Sequence, residues 1–265
     1  MDQLAPHTVQ SLAGDLRALG LTAGDTALVH SSAHSLGFVA GGTQAVVQAL
    51  LDVLGPAGTL VVPTHTSDNS DPADWRNPPV PESWWPVIRS QAPGFDRSRT
   101  PGRWMGVIAE TVRTWPGAMR SDHPQVSFAA VGRHAATVTE AHKLDDALGE
   151  RSPLGAVYRL DGKVLLLGCG HDSNTSLHLA EWRQKSPPRA VTGASVRRPD
   201  GTSEWISWTD VADNTDDFEQ IGAAFEVAVG LSVGQVGDAE ARLTPQRALV
   251  DFAADWMAQH RPVSP

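Results

Sequence analysis

Short apolar runs alternate along this chain with longer segments in which apolar residues recur every three or four positions. The runs at 26–29, 59–62 and 164–167 show no polar alternation, which is typical of strands buried on both faces of a parallel sheet. The segments 9–19 and 43–54 have helical spacing, and each is followed by a glycine. Because helices and strands alternate, the pattern predicts an α/β fold with a central, largely parallel sheet flanked by helices.

The second half of the chain departs from this pattern. Residues 126–131 form another apolar run, and residues 145–158 are interpreted as a loop because they contain Gly149 and Pro153. Residues 190–198 and 201–210 alternate apolar and polar positions around a Pro-Asp-Gly turn, which predicts an antiparallel hairpin near the C-terminus. A helix from about Phe218 and a terminal helix over 248–257 follow. The length of 265 residues suits one domain, over 1–265.

Residues 67–100 show neither the helical nor the strand spacing of apolar residues, and they are rich in Pro, Asp and Trp. A loop of this length within a compact domain is usually a functional lid or a disordered segment. Its aromatic residues favour an ordered lid. Asp68 and Asp71 would then bring negative charge to the edge of a cleft, although solvated turn residues are an equal reading of both.

Polar residues follow the three predicted central strands. His30, Ser31 and Ser32 end the first strand, and His65 lies just past the second. Beyond the third, Gly168 and Gly170 lead into a helical pattern that carries His178 and Glu181, three residues apart and therefore on one helix face. The carboxyl ends of strands in open α/β sheets are where such proteins place their sites. An imidazole beside a carboxylate is equipment for acid–base catalysis, whereas a packed or solvated histidine is the simpler interpretation of His178 alone.

A further polar group, Arg120, Ser121 and His123, precedes the strand at 126–131. At the start of a strand, direct catalysis is less expected of these residues. A guanidinium, a hydroxyl and an imidazole instead favour binding of an anionic cofactor.

Charge and composition narrow the function. The chain has 21 basic and 30 acidic residues, a net charge of −9, and no basic run that could follow a phosphate backbone, which favours a cationic ligand over nucleic acid. The first ten residues lack the features of a signal peptide, and no apolar run approaches the roughly 20 residues that span a bilayer. Cys169 is the single cysteine, so no intrachain disulfide forms. We therefore expect a cytoplasmic protein without membrane contact.

Four blocks in this sequence resemble a known family. LVHSS, GTLVVPTHT, RSDHPQVSFAAVG and LLLGCGHDSNTSLHLAE look like the signature blocks of the aminoglycoside 3-N-acetyltransferases, the antibiotic N-acetyltransferase family, in the same order and spacing over about residues 10–258. The resemblance implies an acetyl-CoA-dependent enzyme that acetylates the 3-amino group of the deoxystreptamine ring and confers antibiotic resistance. It also implies a fold distinct from the common GNAT-type acetyltransferases.

The chemistry implied by the resemblance assigns roles to residues already singled out. Amine acetylation needs a base for the attacking nitrogen, donors for the thioester oxyanion, and carboxylates for a polycation. His178 is the predicted general base, polarised by Glu181 or Asp213, and His30 is the predicted donor to the substrate or thioester. The predicted cofactor-binding residues are Ser31, Ser32, Arg120, Ser121 and His123. The carboxylates predicted to bind ammonium groups are Asp68, Asp71, Asp172, Glu181 and Asp213.

The resemblance also implies coenzyme A and a cationic aminoglycoside as binding partners, no metal, and a monomer or homodimer. Three alternatives remain at this level: acetylation of a non-antibiotic amine, a metal-dependent hydrolase, and a non-catalytic protein that binds cations. The ten histidines motivate the hydrolase, but the chain has no H-x-H or H-E-x-x-H pair. Cys169, between two glycines, is interpreted as a buried thiol rather than a nucleophile.

Overall fold

The structure, a computed structural model, describes residues 5–261. Its helices are α1 (Val9–Leu19), α2 (Gly42–Leu54), α3 (Trp85–Gln91), α4 (Gly106–Arg113), α5 (Ala135–Thr139), α6 (Pro153–Arg159), α7 (Ser176–Trp182), α8 (Phe218–Ala228) and α9 (Gln246–His260). Its strands are β1 (Thr26–Ser31), β2 (Thr59–Pro63), β3 (Met119–Arg120), β4 (Phe128–Gly132), β5 (Lys163–Leu167), β6 (Arg189–Arg197), β7 (Ser203–Val211), β8 (Ser232–Val236) and β9 (Ala239–Pro245). Short 3₁₀ turns lie at His34–Leu36, Pro72–Asp74, Glu82–Trp84 and His171–Ser173.

Seven strands form the central sheet in the order β3-β4-β2-β1-β5-β9-β8. β1 is parallel to both of its neighbours, β2 and β5, and the remaining neighbouring strands pair antiparallel. Five of the seven strands point in one direction, since only β4 and β9 run the opposite way, so the predicted largely parallel sheet is confirmed. β6 and β7 pair only with each other and form the predicted antiparallel hairpin.

The two faces of the sheet are covered by two apolar layers. Successive residues of a strand point to opposite faces, and β1 obeys this rule. Val29 packs in the layer that contains α1, α2 and α4, whereas Leu28 packs in the layer that contains α6, α7, α8 and α9. The fold is therefore a sheet between two layers of helices, and the layer with α7 carries the site described below.

The polar and apolar pattern predicted most of these elements and missed some. α1, α2 and β1, β2 and β5 lie within two residues of their predicted bounds. The predicted loop at 145–158 is wrong in part, because α6 begins at Pro153, a position where proline is well tolerated since the first helical N–H needs no partner. The stretch between α8 and α9 was predicted from the sequence only as a short glycine-containing turn, and this prediction is wrong: the stretch holds β8 and β9, a hairpin that extends the sheet beyond β5. α5 and β3 were not predicted.

The 67–100 segment, predicted to be a lid, packs against the β6–β7 hairpin. Asn69 accepts a hydrogen bond from the N–H of Ser195 and donates one to its carbonyl. Phe95 makes an isolated bridge with Val196, and a Cβ at Gly94 would overlap the backbone of Val196. The close approach explains a glycine at 94. The segment and the hairpin therefore pack as one unit beside the sheet.

No helix in the described part of the chain is both long enough and apolar enough to cross a membrane.

Candidate active site

The carboxyl ends of β1, β2 and β5 meet at one edge of the sheet, because these three strands are parallel. Ser31 at the end of β1 pairs with Leu167 at the end of β5. His30 lies two positions after Leu28, so its side chain points to the face of the sheet that is covered by α7. β5 and α7 are joined by a short turn, and that turn sets His178 above the end of the sheet.

His178 is buried and its imidazole is held by a carboxylate. Its Nδ1 lies 2.6 Å from Oε2 of Glu181 and 3.8 Å from Oδ1 of Asp213. An ionised carboxylate only accepts hydrogen bonds, so Nδ1 carries the proton and Nε2 carries a free lone pair. The ring of Phe218 packs edge-on against the imidazole, 4.9 Å between centroids. Within residues 5–261 no group hydrogen-bonds to Nε2, so this nitrogen is free to accept a proton.

Glu181 is itself fixed from the other side. Its Oε1 accepts hydrogen bonds from the backbone N–H of Asn214, at 3.1 Å, and from Nη1 of Arg261, at 2.5 Å. Arg261 also donates to both carboxylate oxygens of Asp217. Charge-assisted bonds of this kind are stronger and more directional than neutral ones. The result is a connected chain of groups that leaves His178 little freedom to rotate away.

The pKa of His178 is raised above its ordinary value. Burial alone lowers the pKa, but the hydrogen bond to Glu181 and the charges of Asp213 and Glu181 outweigh burial, with Arg261 opposing them. Burial also raises the pKa of Asp213, as does the charge of Glu181, while His178 lowers it. The imidazole is thus more basic than an isolated one.

Two other imidazoles near His178 behave in the opposite way. Burial, followed by the charge of His178, lowers the pKa of both His30 and His65 to about 3, so both are neutral at physiological pH. His30 pairs through Nε2 with Oγ1 of Thr175 at 3.3 Å. His65 packs edge-on against Phe128. Sequence reasoning left His65 out of the site, although its place after a buried strand was a usable signal.

A cleft of about 590 Å³ opens at the ends of β1 and β5. Among the residues that line it are His30, Ser31, Ser32, Trp104, Met105, Gly106, Cys169, Asp172 and Thr175. We call it the Ser31 cleft. It contains both predicted cofactor serines and also Asp172, which was predicted to bind the substrate. Burial raises the pKa of the Cys169 thiol to about 11, so it is protonated at neutral pH.

The other three predicted cofactor residues lie inside the fold. Arg120 is buried and donates to the carbonyls of Thr64, Arg97 and Thr100. Burial lowers its pKa to about 10. These contacts tie the 67–100 segment to the end of β2. They favour a structural role for Arg120 over the predicted cofactor contact.

Ser121 and His123 are fully buried. Oγ of Ser121 accepts from the N–H of Phe128 and lies 2.9 Å from Nδ1 of His142. His123 accepts two backbone N–H groups through Nδ1 and stacks on His142 at 4.8 Å and against Trp208 at 5.8 Å. Ser121 and Nδ1 of His123 bond only to protein groups, and Nε2 of His123 is buried without a partner among residues 5–261. The burial of both side chains favours a structural role over the predicted cofactor contact.

Asp68 and Asp71 do not join the His178 cluster. Asp71 caps the 3₁₀ turn at Pro72–Asp74 and pairs with two nitrogens of Arg89. Burial alone would raise the pKa of Asp71, but the hydrogen bonds from Arg89 and from the N–H of Ala73 outweigh burial. The pKa of Asp71 therefore lies below its ordinary value. Asp68 is exposed and lines a separate cavity of about 530 Å³ at the turn of the β6–β7 hairpin. Of the two, only Asp68 has a carboxylate free for a ligand.

Asp210 was not among the predicted site residues. It is buried at the end of β7, where it accepts from its neighbour Val211 N–H at 2.8 Å and from Trp208 at 3.4 Å. Burial, together with the charge of Asp213, raises its pKa to about 6 against those hydrogen bonds. An Asp that follows an alternating strand was visible in the sequence, but its burial depends on how the hairpin packs.

His178, Glu181 and Asp213 have potential metal-ligand atoms within 4.8 Å of one another. The separation of 2.6 Å between Nδ1 of His178 and Oε2 of Glu181 is a hydrogen-bond distance. Ligands about 2.0–2.2 Å from a tetrahedral zinc lie roughly 3.3 Å apart. Glu181 is in addition neutralised by Arg261. This arrangement favours an acid–base pair over a metal centre.

Comparison with known proteins identifies relatives across nearly the whole chain. The family model described as aminoglycoside 3-N-acetyltransferase matches residues 28–258. The SPbeta prophage-derived aminoglycoside N(3')-acetyltransferase-like protein YokD of Bacillus subtilis is 44% identical, covering 95% of this chain and 92% of its own length. Aminoglycoside N(3)-acetyltransferase III of Pseudomonas aeruginosa is 37% identical over 95% and 94%.

Solved structures give the same result. The crystal structure of YokD from Bacillus subtilis superposes with a TM-score of 0.95 at 41% identity, covering 98% of this chain and 97% of that one. A binary structure of AAC-IIIb with CoASH gives 0.85 at 31%, covering 98% and 100%. A sisomicin-bound structure of AAC-VIa gives 0.86 at 29%, covering 96% and 99%.

Proposed function

The chain belongs to the aminoglycoside 3-N-acetyltransferase family, and we propose that it transfers the acetyl group of acetyl-CoA to the 3-amino group of an aminoglycoside, with antibiotic resistance as the consequence. Support for the donor comes from the relative solved with CoASH, and support for the acceptor from the relative solved with sisomicin. The observation that carries the proposal is the His178–Glu181 pair at the edge of the sheet, with Nε2 of His178 free.

His178 is the general base. The neutral amine attacks the thioester carbonyl carbon, so a C–N bond forms and the carbonyl electron pair moves to oxygen. Nε2 of His178 accepts the proton of the attacking nitrogen. The electron pair on oxygen then re-forms the carbonyl, the C–S bond breaks, and the thiolate of coenzyme A leaves and takes up that proton, which yields the amide and returns His178 to its neutral state. Such a base contributes about 10²- to 10⁴-fold to the rate.

Glu181 makes His178 a better base in two ways. Its hydrogen bond fixes the tautomer with the proton on Nδ1, and its charge stabilises the imidazolium that forms during the reaction. Arg261 and the N–H of Asn214 hold Glu181 in that orientation. Asp213, 3.8 Å from Nδ1 and about half exposed, adds negative charge at the point where a cationic substrate approaches.

The thioester occupies the inner end of the Ser31 cleft. His30 is 5% exposed there, is neutral, and is oriented by Thr175, so it is suited to donate a hydrogen bond to the carbonyl oxygen as negative charge develops on it. Ser31 and Ser32 line the same wall and contact the pantetheine arm. Because Cys169 is protonated, transfer is direct and forms no acetyl-cysteine.

The acceptor is held by carboxylates. After Glu181, which holds the imidazole, Asp213 is the next carboxylate beside His178, and Asp210 lies three residues before it at the end of β7. Asp68 and Asp172 remain predicted contacts for more distant ammonium groups of a polycation.

A free-thiol assay with acetyl-CoA and a panel of aminoglycosides tests the proposal. We expect thiol release that depends on both substrates, and a product whose new amide lies at the 3-amino position by NMR. His178→Gln serves as the control, because it keeps the side-chain volume and removes the base. If wild-type protein releases no thiol with any aminoglycoside yet binds them tightly, the protein is a cation-binding protein instead.

A further inference from the structure

Trp104 is an exposed aromatic residue at the mouth of the Ser31 cleft. Its side chain lines the cleft, and the residue is 78% exposed. An indole in that position buries little apolar surface, so packing within the chain does not explain it.

The backbone at Trp104 is also unusual. Its φ is +63°, in the left-handed region that a bulky residue rarely adopts. The turn is held from both sides, because the N–H of Arg103 donates to the carbonyl of His65 at 2.6 Å and the N–H of Gly102 donates to Oε2 of Glu110 at 3.2 Å. Such strained conformations persist where the surroundings impose them, and they concentrate at ligand clamps. The turn presents Trp104 to the solvent side of the cleft.

Arg103 places its positive charge over one face of the indole, and the high exposure of Trp104 leaves the rest of the ring open. Its guanidinium carbon lies 4.8 Å from the centroid of the Trp104 ring, and no carboxylate among residues 5–261 pairs with it. Asp172, an exposed acidic residue, also lines the cleft. An anionic group at the mouth of the cleft is therefore favoured close to Trp104, because the guanidinium of Arg103 lies against that indole.

The exposed fraction of the lining residues increases from the inner end of the cleft to its mouth. His30 is 5% exposed, Cys169 is half-buried, and Trp104 is 78% exposed. The reactive thioester belongs at the inner end near His178, so the part of acetyl-CoA most distant from the thioester belongs at the mouth. That part is the adenine nucleotide, which combines a flat aromatic base with phosphates.

We propose that Trp104 and Arg103 form the nucleotide-binding lip of the Ser31 cleft, with the indole stacked on adenine and the guanidinium paired with a phosphate of acetyl-CoA. Every base offers a flat face to an aromatic side chain, and a guanidinium pairs well with phosphate. This inference rests on the proposed function, because it requires acetyl-CoA as the donor.

Comparison of two acetyl donors tests the nucleotide-binding lip separately from the rest of the cleft. Acetyl-CoA carries the nucleotide, whereas S-acetyl-pantetheine carries the same thioester and lacks it. We expect Trp104→Ala to lower kcat/KM for acetyl-CoA by about 5- to 100-fold, the range of one base–aromatic stack, and to leave kcat/KM for S-acetyl-pantetheine unchanged. Trp104→Phe, which keeps an aromatic face, should recover part of the loss. Arg103→Gln should show the same dependence on the donor, with a loss that shrinks as salt is added.

Two matched controls separate stacking from general effects. Val107→Ala removes an exposed aliphatic side chain from the same cleft, and Trp84→Ala removes an exposed indole from the 67–100 segment. Neither should discriminate between the donors. A direct measurement uses adenosine 3′,5′-bisphosphate, a nucleotide without the pantetheine arm: it should quench tryptophan fluorescence of the wild type, and the quenching should be lost in Trp104→Phe.

The outcomes are distinct. Equal losses with both donors would mean that Trp104 supports the turn or the arm, and no loss with either would mean that the indole does not touch the cofactor; each result overturns the lip while leaving the acetyltransferase proposal intact. If the wild type uses neither donor, the proposed function fails. If Trp104→Ala instead weakens binding to a partner protein without changing either donor's kinetics, the exposed indole is an interaction surface and the lip is wrong.

Discussion

Two clusters in this fold contain buried histidines, and they differ in whether a carboxylate lies next to the imidazole. The first is His178 with Glu181 and Asp213. The second is His123 with His142, Ser121 and Trp208. All three imidazoles are buried. Burial lowers the pKa of His142 to about 4 and the pKa of His123 well below its usual range, whereas the pKa of His178 is raised.

The difference is the carboxylate. Burial disfavours an imidazolium in both clusters, but only His178 has negative charge within reach to reverse that effect. In the second cluster, a hydroxyl and a carbonyl pair with the two nitrogens of His142, and Nδ1 of His123 accepts backbone N–H groups, so no carboxylate stabilises a protonated ring. Position at the edge of the sheet therefore does not identify the base. The identity of the hydrogen-bond partner does.

Replacing the base gives the largest expected effect. His178→Gln should lower kcat by about 10²- to 10⁴-fold, because it removes the proton acceptor while keeping the bulk of the side chain. For the wild type, kcat should rise with pH through one ionisation above the usual imidazole value, since the base must be neutral and its pKa is raised. This rise of kcat with pH should be absent in His178→Gln. His142→Gln, in the second cluster, is the control; a comparable loss of kcat there, with folding intact, would contradict the assignment.

Converting the first cluster to resemble the second should have a smaller effect. Glu181→Gln removes the charge but keeps a hydrogen-bond acceptor for Nδ1 of His178. We expect kcat to fall by about 10- to 150-fold, the value of one charge-assisted hydrogen bond. The rising limb of the pH profile should also move to lower pH, because burial then lowers the pKa of His178 with less opposition. A limb that stays in place would mean that Asp213 supplies the charge.

The pH dependence of stability should distinguish the clusters with opposite signs. His142 has a folded pKa of about 4 against 6.5 unfolded, so its contribution to stability is present above pH 6.5 and is lost as the pH falls towards 4. His178 has a folded pKa raised above 6.5, so its contribution is fully present below pH 6.5 and is lost as the pH rises through the raised folded pKa. His142→Gln should therefore flatten the acid limb by up to about 1.4 kcal/mol per pH unit, measured by urea unfolding between pH 4 and 6.5. An unchanged slope would show that His142 is not buried and neutral.

Charge on the exposed side of the first cluster, at Asp213, should affect binding of the aminoglycoside more than turnover. Asp213→Asn should raise the KM for the aminoglycoside by about fivefold at low salt, with the effect shrinking as salt is added, because the carboxylate is half exposed and its attraction is screened over about 8 Å. Asp71→Asn is the matched control on the 67–100 segment. Since Asp71 is occupied by Arg89, we expect lower stability and an unchanged KM. A KM effect at Asp71 would restore the predicted role of that residue.

The sequence predicted the parallel centre of the fold better than its edges. The apolar runs of β1, β2 and β5 have no other plausible place than a sheet interior. β8 lacks such a run, because Ser232, Gly234 and Gln235 interrupt it, and a strand at the end of a sheet needs only one pairing partner. α6 was missed because Gly149 and Pro153 signal a loop when their neighbours in space are unknown.

The site likewise contains residues that the sequence predicted and residues that it did not. His178 and Glu181 were predictable because their spacing of three is fixed by the helix itself. Arg261 was not predictable, since it lies 80 positions from its partner Glu181 and joins it only after α9 has packed on α7. The burial of Arg120 and His123 depends likewise on the 67–100 segment and the hairpin. A sequence shows which residues are polar, but not which of them the fold leaves open to a ligand.

Substitution of Cys169 should have the smallest effect on kcat, because its half-buried thiol, like the imidazoles of the second cluster, lacks an activating charge. Burial raises its pKa to about 11, and Asp172 adds to the rise, so no cation stabilises a thiolate strongly enough to activate it. Cys169→Ala should therefore change kcat by no more than about threefold, the range of substitutions away from the chemistry. Initial rates at varied concentrations of both substrates should give intersecting double-reciprocal lines, as a ternary complex requires. Parallel lines, together with a loss of more than about a hundredfold in the variant, would require an acetyl-cysteine and would make the thiol the nucleophile that burial argues against.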